Sequence, residues 1–326
     1  MIIARAPFRI SFFGGGTDHP EFFLKEGGAV LSTAIDKYVY VTANRFLSHM
    51  YDYAIRLSYS SVELAKNLND VEHNIFRECL RYCGVTKDIA LHSAFDAHAF
   101  SGLGSSSSLT VSILHALHCI NKEFITPEEL ARAAIFVEKK MVKDKVGYQD
   151  QIAAAYGGFN FIEFKPTGDF HVQCVHMQPS RMVDIESHLF LVYTGIVRKA
   201  SDITALQIKK IQQNMLALRA LKAMAYDGYD LLIKNKPLKK FGLLLNEAWV
   251  QKRTLDSGVS NEKIDALYKR GLKAGAWGGK LLGAGGGGFI LFFAPPSARA
   301  KLAKSFPKKD ILPVKINAPG SQIIFS

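Results

Sequence analysis

The stretch that decides the fold lies at residues 101–108 and reads Ser101-Gly102-Leu103-Gly104-Ser105-Ser106-Ser107-Ser108. It separates a predicted strand from a predicted helix. Glycines let a backbone approach a ligand closely, and the first turn of a helix leaves N–H groups unpaired at the positive end of its dipole. Phosphate oxygens bind well there, and serine hydroxyls add donors. The stretch predicts an anion site, although a loop that merely caps the helix would have the same composition.

This stretch differs from two common nucleotide-binding motifs. No Lys-Ser or Lys-Thr pair follows its glycines, as a Walker loop requires. The third glycine of the dinucleotide-binding fingerprint is also missing. If the stretch binds a nucleotide, it therefore does so through another kind of glycine loop.

A second glycine motif stands near the N-terminus, where the sequence at 6–18 reads Ala-Pro-Phe-Arg-Ile-Ser-Phe-Phe-Gly-Gly-Gly-Thr-Asp. Apolar strand residues lead into Gly14, Gly15 and Gly16, and then into Thr17 and Asp18. A strand that ends in glycines and a carboxylate can bring its backbone and Asp18 close to the hydroxyl groups of a polyol. The alternative is a glycine bulge after which Asp18 caps the next helix.

A third glycine motif lies far downstream, at residues 278–288, and reads Gly-Gly-Lys-Leu-Leu-Gly-Ala-Gly-Gly-Gly-Gly. It enters the apolar predicted strand Phe289 to Phe293. Such a run loses much chain entropy when it becomes ordered. We expect a ligand or another backbone to pack against it, with a mobile loop as the alternative.

Length and composition favour a globular protein with a large core. The chain has 326 residues, of which 48% are hydrophobic and 21% charged, close to the globular norms of about 45–50% and about 25%. No apolar run reaches the roughly 18–20 residues that span a bilayer, and no signal-peptide pattern is present. We therefore expect a cytoplasmic protein that does not associate with a membrane. The four cysteines are too few for a disulfide framework and lack zinc-ligand spacing.

The charge is unevenly distributed. The formal net charge is +12; residues 1–163 carry 16 basic and 18 acidic side chains, whereas residues 164–326 carry 25 and 11. A basic half attracts anions such as sugar phosphates and nucleotides, or it is an ordinary lysine-rich surface. The lysines form no compact tract with interleaved aromatic residues, which argues against nucleic acid as a partner.

The pattern of elements predicts an α+β protein in two parts. Strand-like segments at 2–13, 29–45 and 88–97 precede predicted helices at 108–119 and 130–142, the second starting from Thr126-Pro127-Glu128-Glu129. Strands are predicted at 159–164, 170–177 and 188–194, followed by a helical region from 199 to 273, and then strands around a short helix near 297–305. The change of pattern suggests domains at 1–180 and 181–326.

The three glycine motifs, in this order and spacing, resemble the GHMP kinase superfamily of small-molecule kinases over nearly the whole chain. Within it, Gly27-Gly28-Ala29-Val30 and Ile35-Asp36-Lys37-Tyr38 look most like the branch of heptose 7-phosphate kinases, with fucose kinases close behind. The resemblance implies a two-domain fold: an N-terminal α+β domain with a left-handed β-α-β unit and a C-terminal ferredoxin-like domain. It also implies that ATP lies against residues 101–108 and that the sugar lies between the domains.

The resemblance further implies a set of catalytic residues. Gly147-Tyr148-Gln149-Asp150-Gln151 looks like the segment that carries the catalytic aspartate of sugar kinases in this group. Asp150 would then face the acceptor hydroxyl, Arg9 would stabilise charge beside it, and Ser106 and Glu138 would hold Mg²⁺. This chain departs from the family pattern at 97–101, where Ala-His-Ala-Phe-Ser replaces the usual Pro-x-Gly.

The resemblance also implies the reaction, which is phosphorylation of the anomeric hydroxyl of D-glycero-D-manno-heptose 7-phosphate to the 1,7-bisphosphate, a step toward activated heptose for surface polysaccharide. Arg198 and Lys199, with Arg253 in reserve, are predicted to bind the distal phosphate, since a guanidinium suits a phosphate well. The full set of predicted substrate-binding residues is Gly14, Gly15, Gly16, Thr17, Asp18, Arg198, Lys199, Gly285, Gly286 and Gly287. Alternatives are another sugar such as fucose, or a non-catalytic sensor with the same fold. A homodimer is left open.

Overall fold

The computed structural model describes residues 1–97, 102–197 and 200–326. Its strands are β1 (Ile2–Phe13), β2 (Gly28–Arg45), β3 (Ile55–Ser58), β4 (Val62–Ala65), β5 (Ile89–Phe95), β6 (Phe159–Phe164), β7 (Phe170–Cys174), β8 (Leu189–Tyr193), β9 (Gly278–Leu281), β10 (Phe289–Phe293), β11 (Ile311–Leu312) and β12 (Gln322–Phe325). Its α-helices are α1 (Pro20–Glu26), α2 (Asn74–Tyr82), α3 (Ser105–Ile120), α4 (Pro127–Phe136), α5 (Gln149–Tyr156), α6 (Pro179–His188), α7 (Ala200–Lys209), α8 (Met215–Ile233), α9 (Leu238–Arg253), α10 (Glu262–Lys273) and α11 (Arg299–Ser305).

The larger sheet is organised around β1 and β2. Its strand order is β12-β1-β2-β5-β3-β4, and β6 and β7 extend it from the other half of β2. The long strand β2 therefore serves two partners: residues 28–33 pair with β6 and residues 39–45 pair with β5. All these pairings are antiparallel except β3 with β5. β1 runs through the buried centre and ends at the N-terminal glycine motif.

Helix α3 packs on β1 and β2 and carries the serine-rich stretch. It is buried on most sides, and its buried hydroxyls bond to strand carbonyls: Ser108 Oγ donates to Pro7 O at 2.7 Å, and Ser112 Oγ donates to Val39 O at 3.2 Å. A buried hydroxyl needs such a partner. These bonds fix the start of α3 against the sheet.

The next helix begins as the sequence predicted. Thr126 caps α4, its hydroxyl accepting from Glu129 N while the Glu129 carboxylate accepts from Thr126 N at 2.8 Å. The helix does not continue regularly to residue 142, because a π-helical turn occupies Val137–Met141. That turn holds Glu138, and π-helical turns occur frequently at functional sites.

The second sheet lies in the C-terminal half and has the order β11-β8-β10-β9, all antiparallel. Helices α10 and α11 pack near it around a separate cluster of buried residues that includes Val192, Ile290 and Phe292. The chain then returns to the first sheet, where β12 pairs with β1. The α+β architecture in two parts is confirmed, while the division at 180 and 181 stays a prediction.

The sequence prediction erred mainly in short elements. Strands at 2–13, 159–164 and 289–293 have the predicted bounds, and the region after 199 is helical. The hairpin of β3 and β4 and the helices α2, α5 and α6 were not predicted, and a helix at the position of α1 was expected only in the alternative in which Asp18 caps it. These elements are short and amphipathic, so their hydrophobic period is sampled over too few residues to stand out. In the described part of the chain, no helix is long and apolar enough to cross a membrane.

Candidate active site

A cavity lies where the three glycine motifs meet. It is bounded by the end of β1, the start of α3, the start of α5, helices α7 and α9, and the loop after β9. The predicted site residues that line it are Arg9, Gly15, Gly16, Asp18, Gly102, Gly104, Ser105, Ser106, Ser107 and Asp150. Residues from positions as distant as 9, 104, 150 and 283 thus converge on one cavity.

Arg9 and Asp150 form a bidentate pair in this cavity. Arg9 Nε donates to Asp150 Oδ1 and Arg9 Nη2 donates to Asp150 Oδ2, both at 2.8 Å. The third guanidinium nitrogen, Nη1, donates to Gly102 O at 2.6 Å. Burial raises the pKa of the Asp150 carboxyl, and the Arg9 guanidinium counteracts that shift. Arg9 is 5% exposed whereas Asp150 is 26% exposed, so the carboxylate is the member of the pair that a ligand can reach.

Asp18 lies beside this pair and is held by backbone groups. Its Oδ1 accepts from Gly16 N at 3.0 Å, and its Oδ2 accepts from Gln149 N at 3.3 Å. The backbone at Gly147 passes so close that a Cβ added there would stand 1.9 Å from Asp18 Oδ2. A glycine is therefore required at position 147 for steric reasons, because any side chain there would collide with the Asp18 carboxylate.

We predict that Gly147→Ala lowers the melting temperature and weakens acceptor binding, because either Asp18 or the segment leading to Asp150 must move. Overpacking of this kind costs about 1–3 kcal/mol. Thermal unfolding checks the stability and initial-rate kinetics check the acceptor KM. Gly15→Ala is the matched control for the melting temperature only, since its Cβ would meet only ordinary contacts, at 3.6 Å and beyond, while Gly15 itself lines the cavity. Equal melting temperatures for the two variants would contradict the steric argument.

The start of α3 has the geometry expected of an anion site. Gly104 precedes the helix with φ +78°, and Gly102 has φ +77°, both in the left-handed region that favours glycine. Ser106 is exposed at the first turn and Ser107 is buried. The first turn of a helix is suited to anions because of its N–H groups and its positive dipole end, and here this turn lines the cavity.

Glu138 is buried behind this turn. Its Oε2 accepts from Ser107 Oγ at 3.0 Å and from Gln151 Nε2 at 2.6 Å, while its Oε1 has no hydrogen-bond partner among the described residues. Burial raises the pKa of Glu138 to about 7, although the neighbouring hydroxyl and amide groups counteract the shift. The carboxylate therefore bonds to the neighbour of Ser106, and the Thr110 hydroxyl also favours its charged form.

A second cavity adjoins the first at Ser105 and Ser106. Its other walls are partly apolar and aromatic and come from β3, α2, β5, α3 and the segment after α4: Tyr59, Ser60, Glu72, His73, Asn74, Ile75, Ser93, Ala94, Phe95, Leu109, Val142 and Asp144. The serine-rich turn thus stands between the two cavities and contributes to the wall of each. The sequence analysis missed the second cavity because its walls come from the β3–β4 and α2 region, which it left without elements.

Two buried lysines of the first cavity were also missed. Lys252 Nζ donates to Leu281 O at 3.5 Å and to Gly283 O, and Lys280 Nζ donates to Ser11 O at 3.0 Å and Phe12 O at 2.9 Å. A signal for Lys252 does exist in the sequence. It continues the apolar stripe of α9 formed by Phe241, Leu245 and Ala248, a face on which a lysine is unexpected.

Several predicted site residues do not line the cavity. Thr17 is fully buried, and its hydroxyl donates to Gly14 O at 2.8 Å and Ala29 O at 3.0 Å, so it closes the glycine turn. Gly14 packs against β2 at Ala29. The glycines at 285–287 pack against the backbone of Val259 and Ile196, which is the backbone alternative considered above.

The remaining predicted site residues either have other partners or lie outside the described part of the chain. Leu103 is buried, and its carbonyl accepts from Arg9 N at 3.0 Å. Arg253 pairs with Asp265 at 2.8 Å. Ser101, Arg198 and Lys199 lie outside the described residues, so their predicted roles stay predictions.

Two profiles of one enzyme family match the sequence. The profile of the "GHMP kinases N terminal domain" matches residues 69–158, and that of "GHMP kinases C terminal" matches residues 231–310. A D-glycero-alpha-D-manno-heptose 7-phosphate kinase from Campylobacter jejuni is 30% identical over 323 residues, which cover 94% of each chain. A bifunctional fucokinase/GDP-fucose pyrophosphorylase from Arabidopsis thaliana is 28% identical over 90% of this chain, which spans 30% of that longer protein.

Solved structures share the whole fold. A D-glycero-D-manno-heptose 1-phosphate kinase from Bacteroides thetaiotaomicron superposes with a TM-score of 0.82 over 100% of both chains, at 24% identity. A Lactococcus lactis galactokinase in complex with galactose superposes with a TM-score of 0.75 over 98% of this chain and 94% of its own, at 17% identity. At these identities the likeness concerns the fold, which agrees with the two-part α+β architecture described above.

Proposed function

Since this chain belongs to the GHMP kinase family and is an ATP-dependent phosphotransferase acting on a sugar hydroxyl, we propose that its acceptor is the anomeric hydroxyl of D-glycero-D-manno-heptose 7-phosphate. The product would be the 1,7-bisphosphate, for nucleotide-activated heptose and surface polysaccharide. The observation that carries the proposal is the Arg9–Asp150 pair, set beside the anion-binding start of α3 within one cavity. The heptose kinase relative at 30% identity supports the choice of sugar.

ATP would occupy the two adjoining cavities. The second cavity suits a nucleobase because Tyr59 and Phe95 contribute aromatic rings to its wall, and the turn at Ser105 and Ser106 suits the phosphate chain that leads into the first cavity. A phosphate chain along this path ends near Asp150, because Asp150 and the turn line the same cavity. Of the predicted ATP-binding residues, Gly102, Gly104, Ser105, Ser106 and Ser107 lie along this path, whereas Leu103 and Ser108 line neither cavity.

Asp150 would act on the acceptor hydroxyl. As a carboxylate it can accept the hydrogen bond of the anomeric hydroxyl, orient its oxygen toward the phosphoryl group and take its proton. Arg9 keeps the carboxylate in position and adds positive charge beside the transferring group. Phosphoryl transfer depends mainly on such alignment and charge stabilisation.

Mg²⁺ fits the residues at the start of α3. A kinase Mg²⁺ site needs only one or two protein oxygens, because the substrate phosphates and water supply the others. Glu138 has a buried oxygen without a partner among the described residues, and Ser106 presents an exposed hydroxyl in the cavity wall. When bound, the ion would screen the triphosphate charge. Glu138 and Ser106 would hold it, with Ser107 and Gln151 keeping the carboxylate in place.

The sugar would bind at the N-terminal glycine motif. Gly15, Gly16 and Asp18 line the cavity next to Asp150, where backbone groups and a carboxylate can meet sugar hydroxyls. The distal phosphate would be bound by cations of the C-terminal half, for which Arg198 and Lys199 remain our proposal. Arg253 is the weaker candidate because its guanidinium already pairs with Asp265.

The test is ADP release in the presence of Mg²⁺ with a panel of acceptors: D-glycero-D-manno-heptose 7-phosphate, free heptose, fucose, galactose, mevalonate and homoserine. We expect turnover with the heptose phosphate, and at most a weak rate with the others. Preferred turnover of fucose or free heptose would keep the kinase but refute the phosphorylated acceptor. Binding of ATP and sugar without turnover on any acceptor would favour the sensor alternative.

A further inference from the structure

The cavity contains a buried lysine that the roles assigned above do not use. Lys252 lies on α9, is 6% exposed and reaches the cavity wall. Its Nζ donates to the carbonyls of Leu281 and Gly283, in the turn that follows β9. That turn packs closely against the glycine loop before α3, since a Cβ added to Gly102 would stand 2.6 Å from Leu282 O.

Lys252 forms no ion pair with a carboxylate among the described residues. Its partners are two carbonyl oxygens, which accept two of its three hydrogens and carry no net charge. A buried ammonium without a counter-ion is costly, because the protein interior solvates it poorly. A site that retains such a group is suited to a ligand that supplies the negative charge.

The charged groups around Lys252 do not supply this negative charge. Four charged side chains face Lys252: Arg9 on β1, Asp18 in the N-terminal glycine motif, Asp150 on α5 and Lys280 on β9. Arg9 and Asp150 neutralise each other through their bidentate pair. Burial lowers the pKa of Lys280 well below its ordinary range, so Lys280 adds little positive charge. Asp18 is bonded to the backbone N–H groups of Gly16 and Gln149 and forms no ion pair with Lys252. An anion in the cavity would therefore give the Lys252 ammonium the direct counter-ion that none of the described residues provides.

We propose that the Lys252 ammonium binds a phosphoryl group in this cavity and is a catalytic residue of the reaction. The inference rests on the proposed kinase function and extends it to a residue of the C-terminal half. The phosphoryl group has two possible sources, the transferred group of ATP or the phosphate of the acceptor sugar. A flexible ammonium suits either one as a point charge.

The protonation state of Lys252 gives the proposal a distinctive signature. Burial lowers the pKa of Lys252 to about 8, with Arg9 adding to the shift. Above that pH the neutral amine still donates hydrogen bonds to the two carbonyls, so the turn keeps its bonds while the charge disappears. If Lys252 were only structural, its deprotonation would leave the activity unchanged. If its charge binds a phosphoryl group, deprotonation would lower the activity.

The experiment compares Lys252→Met and Lys252→Arg with wild type, and uses Lys239→Met as the matched control on an exposed site of the same helix. With heptose 7-phosphate we expect Lys252→Met to lose about 10²- to 10³-fold in kcat/KM, the typical cost of removing one donor to developing charge. The kcat/KM of Lys252→Arg should be at least ten-fold higher than that of Lys252→Met. In wild type kcat/KM should fall as pH rises through about 8, and this decline should be absent in Lys252→Arg.

The acceptor distinguishes the two sources of the phosphoryl group. A loss in kcat with both heptose 7-phosphate and free heptose assigns Lys252 to the transferred group. A loss confined to the KM of the phosphorylated acceptor assigns it to the distal phosphate. Kinetics of Lys252→Met within about three-fold of Lys239→Met, or an unchanged pH profile in Lys252→Arg, would overturn the proposal.

Binding of inorganic pyrophosphate provides a readout that does not depend on turnover. It should raise the melting temperature of wild type and of Lys252→Arg, and raise that of Lys252→Met much less. If Lys252→Met does not fold, two other measurements decide: the pH profile of kcat/KM in Lys252→Arg, and the rise in wild-type melting temperature that pyrophosphate causes at pH 7 and at pH 9. An equal rise at both pH values would count against the proposal. Absence of turnover in wild type together with a Lys252-dependent pyrophosphate shift would refute the proposed reaction and leave the phosphate site standing.

Discussion

Asp150→Asn is expected to lower kcat by about 10²- to 10⁴-fold, the range contributed by a positioned general base. The amide keeps the size of the side chain and can still accept one hydrogen bond from Arg9, but it cannot take the proton of the anomeric hydroxyl. ATP affinity should change little, because the proposed site of the phosphate chain is the start of α3. Steady-state kinetics give kcat, and calorimetric titration with ATP gives the affinity.

The matched control for this variant is Asp169→Asn, which alters an exposed Arg–Asp pair, the one between Arg132 and Asp169. It should leave kcat and the ATP affinity at the wild-type values. If Asp150→Asn retained more than a tenth of the wild-type kcat, Asp150 would have no part in proton transfer. An equal loss in ATP affinity would show that the variant had disturbed the loop at Gly102.

Arg9→Met should have the second largest effect and should act on both activity and stability. The change removes the bidentate partner of Asp150 and the bond to Gly102 O. Breaking a buried ion pair costs about 3–5 kcal/mol, and the lower end applies because Asp150 is 26% exposed and can be hydrated. We expect kcat to fall by about 10²- to 10³-fold. Denaturant unfolding and steady-state kinetics measure the two effects.

The pH profile of Arg9→Met provides an independent check. Arg9 favours the charged form of Asp150 and so lowers its pKa, against the upward shift caused by burial. Without Arg9 the pKa of Asp150 rises further, so the acid limb of kcat/KM should move to higher pH. Arg9→Lys keeps the charge and should show a smaller shift. An acid limb at the wild-type pH in Arg9→Met would mean that another group controls it.

The sequence was most informative where one local pattern decided both structure and chemistry. The glycines at 102 and 104 stand at left-handed positions ahead of a helix, as the local pattern predicts, and the geometry of such a turn needs little help from distant residues. The long strands β1 and β2 were equally predictable, since their apolar residues are buried over most of their length. Local composition is sufficient for such features.

The rest of the site depends on contacts between distant segments. Glu138 looks like a surface carboxylate in a Glu-Lys-Lys run, and a π-helical turn together with the packing of Ser107 and Gln151 buries it. Gly285–Gly287 look like ligand contacts, yet they pack against Val259 and Ile196, more than 25 residues away in sequence. Sequence spacing does not reveal which backbone a glycine faces.

The pairing of β12 with β1 has a consequence for biogenesis. Arg5 on β1 donates to Gln322 Oε1 across a sequence separation of 317 residues, at 2.9 Å. During translation the strand that carries Arg9 must therefore wait for most of the polypeptide before its outer neighbour emerges from the ribosome. Until then its backbone offers an open edge on which another nascent chain could pair. We expect the first sheet to mature late and to benefit from chaperone protection, even though the motif that defines its chemistry is synthesised first.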